Sequence, residues 1–88
     1  MIAVITAFSD DPARLELRPR HRELLQGLHE RGLLAAAGPF EDQSGALLLF
    51  HSDDVDEVEA ALAEDPYYEA PGVRVVTIQP WTVVAGSL

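Results

Sequence analysis

Apolar and polar positions alternate along this chain in blocks whose period changes four or five times. Ile2 to Phe8 is a short apolar run rich in β-branched residues, closed by the turn cluster Ser9-Asp10-Asp11-Pro12, and it predicts a strand. Residues 12 to 18 are expected to form a helical turn. Pro19, suited to the first turn of a helix, then opens a longer helix that stops before Gly32. Leu33 to Gly38 predicts a second strand, and the almost wholly apolar Gly45 to His51 a third. Asp54 and Glu57 are spaced as an N-cap and its N3 partner, ahead of a helix that buries Val55, Val58 and Leu62 and ends at Pro66. Val73 to Val84, interrupted by Pro80, completes the order β-α-β-β-α-β.

That order predicts an α+β, ferredoxin-like sandwich: a four-stranded antiparallel sheet with both helices on one face, within a single domain spanning 1–88. The opposite face also needs a cover. In the first strand Ile2, Val4, Thr6 and Phe8 point one way and Ala3, Ile5 and Ala7 the other, so neither side reads as a solvent face. Leu47 to Phe50 repeats this pattern, and a homodimer packed sheet to sheet is expected.

Composition narrows the partners. The formal net charge is −9, from six arginines, no lysine and fifteen acids, which argues against nucleic acid and anionic membrane surfaces. No cysteine is present, so disulfides, thiolate metal sites and thiol nucleophiles are excluded. No apolar run approaches transmembrane length, and MIAVITAF lacks the basic flank of a signal peptide, so a cytoplasmic location is expected. His21, His29 and His51 lack the spacing of metal ligands, and the glycines lack a phosphate-loop pattern; neither a metal nor another cofactor is expected. Ser9, Ser44, Ser52 and Ser87 occur without a nucleophile elbow.

Two polar features call for an explanation. Glu64 and Asp65 sit at the carboxyl end of a helix, where a carboxylate is least favoured and a cation would be preferred. His21 shares the inward stripe of the first helix with Leu24, Leu25 and Leu28, so a polar ring is directed at the sheet and needs a partner. Either Asp65 meets His21, or the histidine bonds a main-chain carbonyl while Asp65 serves as a turn residue before Pro66. Arg14 and Arg18 are candidates to bind an anionic substrate group, and equally to pair with surface carboxylates. Tyr67 either presents its hydroxyl to a cleft or packs its ring on the sheet.

The segments RPRHRELLQGLHERGLLAAAGP (Arg18 to Pro39) and EDPYYEAPGV (Glu64 to Val73) resemble the two signatures of the YciI-like (YCII-related) family. The resemblance spans essentially the whole chain in element order. It implies a ferredoxin-like fold that dimerises into an α+β barrel, and an active-site histidine and aspartate that correspond to His21 and Asp65. It also places Ala37, Gly38 and Pro39 at the same cleft, and links some members to the breakdown of aromatic compounds, including lactone dehalogenation. Two positions depart from the pattern: Arg22, expected to face outward, follows the histidine, and Tyr68 follows Tyr67.

Such a pair supports general acid–base catalysis on a small carbonyl or lactone compound without a cofactor. The alternatives are a non-catalytic ligand-binding or accessory dimer using the same cleft, and a relative of the cofactor-free dimeric α+β barrel monooxygenases.

Overall fold

The computed structural model describes residues 1–88. Its elements are β1 (Ile2–Phe8), α1 (Ala13–Glu30), β2 (Leu34–Pro39), β3 (Gly45–Phe50), α2 (Val55–Ala63), a 3₁₀ turn (Pro66–Glu69) and β4 (Val73–Pro80). The strands form one antiparallel sheet in the order β2-β3-β1-β4, the ferredoxin-like arrangement expected.

Three boundaries differ from the sequence expectation. The first helix is continuous from Ala13, with Pro19 inside it rather than at its start. Its start signal is Asp11-Pro12: an Asp11 carboxylate oxygen accepts from the Ala13 N–H at 2.9 Å, and Pro12 already has helical torsions. A proline within a helix removes the donor for the carbonyl four residues earlier, here that of Leu15. Leu15, Glu16, Pro19 and Arg20 are all exposed, so water can serve that carbonyl. Second, β4 ends at Pro80, opposite Ile2 at the first residue of β1; Trp81 N–H makes one further bond across, to the Met1 carbonyl at 2.8 Å, and residues 81–84 lie outside the strand. Third, Asp65-Pro66 does more than end α2. Asp65 caps a new 3₁₀ turn with Pro66 in its first position.

The other ends follow local chemistry closely. Gly32, at φ +83°, closes α1 in a Schellman arrangement, with Leu33 N–H donating to the Leu28 carbonyl and Gly32 N–H to that of His29, both at 3.0 Å. At α2 the Asp54 side chain accepts from Asp56 N–H. Glu57 does not close a direct capping box. The Asp54 N–H donates to Ser52 Oγ, whose hydroxyl in turn donates to Glu57 at 2.6 Å.

The core lies between the helices and one sheet face. Ile2 and Val4 of β1, Leu48 and Phe50 of β3, Leu34 of β2, Leu28 of α1 and Val58, Ala61 and Leu62 of α2 form it; Val55 packs at its margin. Gly45 lets β3 approach β1 at the far end of the sheet, because a Cβ there would lie 1.9 Å from the Thr6 carbonyl oxygen. The opposite sheet face carries Ala3, Ile5, Ala7, Leu47 and Leu49, all half-buried with no element over them.

Candidate functional site

His21 and Asp65 meet. Helix α1 directs the imidazole under the chain that leaves α2, and His21 Nδ1 lies 2.6 Å from Asp65 Oδ2. Only 12% of the histidine side chain and 6% of the aspartate side chain remain accessible. The second carboxylate oxygen, Oδ1, accepts the Tyr67 N–H at 3.0 Å. Both readings of Asp65 therefore hold in one residue: one oxygen builds the turn and the other answers the histidine. Glu64, its neighbour, stays exposed.

Aromatic rings fix the imidazole plane. Tyr67 stacks on it at a centroid distance of 3.8 Å and an interplanar angle of 8°, while Tyr68 meets it edge-on at 5.4 Å. Phe8 packs edge-on against Tyr67. The Arg14 guanidinium lies 4.1 Å from the centroid of Phe8 and donates to the Tyr67 hydroxyl at 3.4 Å. Tyr67 thus packs its ring and offers its hydroxyl at once. Tyr68, half-buried, has a buried hydroxyl without a hydrogen-bond partner, and burial pushes its pKa well above the ordinary 10.0, with Asp65 adding to the rise.

With Nδ1 bonded to a carboxylate, Nδ1 carries the proton and Nε2 is left as the acceptor. Nε2 has no partner in the protein and is not sealed off from solvent. Burial lowers the His21 pKa below 6.5, against the raising effect of its bond to Asp65 and of the Asp65 charge; Arg22 lowers it further. The lowered pKa favours the neutral ring, the state able to accept a proton.

His21 lines a cleft of about 300 Å³ between α1 and the helix-facing side of the sheet. Arg14, Arg18, Gly38, Pro39 and Tyr67, the other residues singled out in the sequence, all line it, together with Ala37. Asp65 does not; it stands behind His21. Six contributors were missed: Arg22, exposed but bordering this cleft rather than turned away from it, together with Phe8, Leu25, Gln43, Ala46 and Leu48. A signal for the first was available. Arg14, Arg18 and Arg22 recur every four residues, which places them along one side of a helix.

A ferredoxin-like sheet with a carboxylate-backed histidine opening into a cleft defines a small α+β protein with the groups for proton transfer. The family model for the YCII-related domain matches residues 1–82, and the chain belongs to that family. Among solved structures, the 5-chloro-2-hydroxyhydroquinone dehydrochlorinase TftG from Burkholderia phenoliruptrix AC1100, in complex with 2,5-dihydroxybenzoquinone, superposes with a TM-score of 0.67. The match covers 93% of this chain and 94% of that one at 18% sequence identity, a likeness of fold. No curated protein matches the sequence. No helix is long and apolar enough to cross a membrane.

Proposed function

We propose that this protein is a cofactor-independent enzyme that uses His21 as acid/base, oriented by Asp65, on a small carbonyl or lactone-type compound of aromatic breakdown. The observation that carries this reading is the 2.6 Å His21–Asp65 contact with the opposite ring nitrogen free toward the cleft. Nε2 would take a proton from a carbon beside a carbonyl, leaving an enolate. The imidazolium so formed is stabilised by the Asp65 carboxylate, and the enolate then either regains a proton elsewhere or expels a leaving group. Such a base contributes about 10²–10⁴-fold in rate. The structure of like fold is that of a dehydrochlorinase, and loss of hydrogen chloride is an elimination of the kind such a base could assist, which supports this reaction class.

The working unit is a homodimer packed through Ala3, Ile5, Ala7, Leu47 and Leu49. Leaving these side chains in water forgoes several kcal/mol at about 25 cal/mol per Å², comparable to the stability of a small domain. Light scattering should give twice the 9.6 kDa chain mass or a multiple of it, and a folded monomer at micromolar concentration would sink the dimer.

The test of the chemistry is a turnover assay over hydroxyquinone, lactone and chlorinated phenol substrates with His21→Asn and Asp65→Asn. His21→Asn should lose about 10² or more in rate while remaining folded, and Asp65→Asn should lose turnover more than binding. Wild-type rates in both variants would make the pair structural. Binding without conversion by the parent protein would favour an accessory role.

A further inference from the structure

We infer that the cleft selects a small organic anion, a carboxylate or an ionised phenol or enol on a flat apolar body, whose charged oxygen is held by Arg14, Arg18 and Arg22. The inference rests on the cleft of the proposed function but not on its turnover. Three of the six arginines of this acidic chain line that one cleft, and no aspartate or glutamate lines it. None of the three pairs with a carboxylate anywhere in the protein, whereas the neighbouring Arg20 does, with Glu23 at 3.2 Å.

In a chain with fifteen acids, three neighbouring cations that find no counter-charge, Arg14 and Arg18 half-buried and Arg22 exposed, are a local charge imbalance that a bound anion would neutralise. Arg14 is already held in place. Its guanidinium rests on Phe8 and spends one donor on Tyr67, leaving its other N–H groups without protein partners. Arg18 and Arg22 follow at one-turn intervals, so the three charges form a row beside His21. The facing wall is apolar, built from Leu48, Ala46 and Pro39. A ligand meeting both walls must be charged along one edge and apolar over its face. The volume, about 300 Å³, is at the small end for ligand sites and fits a molecule of one ring rather than a chain or a nucleotide. The same row would stabilise negative charge developing on an enolate oxygen, which links selection to the proposed chemistry.

The experiment is calorimetric titration of the full chain with benzoate, para-nitrophenolate and the neutral isostere benzamide, followed by NMR titration of the His21 ring. At least one anion should bind more than about tenfold tighter than benzamide, as expected when charge-assisted hydrogen bonds are lost. Which anion wins distinguishes a carboxylate site from a phenolate site. Arg18→Gln and Arg14→Gln should each weaken that anion by roughly tenfold and leave benzamide unchanged. Because Arg14 also packs on Phe8, Arg18→Gln decides if the Arg14 variant is unstable. The bound anion, but not benzamide, should raise the His21 pKa. Equal affinity for anion and isostere, insensitivity to Arg18→Gln, or no binding of either anion at millimolar concentration would overturn the inference. Turnover by the parent protein is read separately from this preference, so anion selection without conversion of any substrate fails the catalytic reading alone, and conversion without anion preference fails the selection alone.

Discussion

The layer between α1 and the sheet is filled at one end and open at the other, and side-chain size and polarity account for the difference. At the filled end Ile2 pairs across the sheet with Phe50, which pairs with Leu34, and these large side chains meet Leu28 and Leu62 with almost no accessible surface. At the open end the corresponding helix-facing positions are Ala37, Pro39 and Ala46, too short to reach the helix. The helix changes in step. One stripe of α1 runs Arg14, Arg18, His21, Leu25, Leu28, from cationic to apolar within a single element. A cleft arises here by withholding apolar volume from half of a core and lining the gap with charge.

The largest effect should come from emptying the filled end. Phe50→Ala removes a fully buried ring and should cost about 3–5 kcal/mol in urea unfolding. A loss of under 1 kcal/mol would mean that the filled end is no tighter than the open one.

Filling the open end should do the reverse. Ala46→Leu places apolar volume in the cleft, so affinity for the bound anion should fall by about tenfold or more. Stability should change by less than about 1 kcal/mol, because nothing has to move aside. If instead the variant unfolds as readily as Phe50→Ala, the gap is not open space.

The smallest effect is a titration that belongs to the boundary between the two ends. The folded-state pKa of His21 lies below 6.5, chiefly through burial, so above that value folded and unfolded chains both carry a neutral ring. As the pH falls from 6.5 toward the lower folded-state value, the unfolded chain takes up a proton that the folded one refuses. Stability therefore decreases over that window, and more in the parent protein than in His21→Asn. Urea midpoints compared above pH 6.5 and in mild acid isolate the difference. A larger loss in the variant would reverse the sign and show that Asp65 outweighs burial. The rate of proton abstraction should follow the same ring, falling with acidification as Nε2 becomes protonated.

Much of this was legible in the residues alone. The β-α-β-β-α-β order follows from changes of period and from Gly32, Asp54 and Pro66, because these signals act within one or two turns of chain. Local chemistry misled most at the start of α1, where two signals competed: Pro19 outweighed Asp11-Pro12 as a helix start, since solvent tolerance of the freed Leu15 carbonyl depends on which side of α1 faces out. His21 and Asp65 were legible as residues needing partners, one polar on an apolar stripe and the other an acid at a helix end.

That they satisfy each other was decided by the tertiary structure, which brings positions 44 apart in sequence to 2.6 Å. The sequence by itself determined the elements, the two apolar faces of the sheet and the row of arginines, because each depends on spacing along one segment. Only the packing of α1 across the sheet decided that Arg22 borders the cleft, that Tyr67 stacks on the imidazole, and that no carboxylate pairs with the three arginines. Those facts depend on the relative placement of segments, and that placement is set by the side chains that fill the other end of the layer.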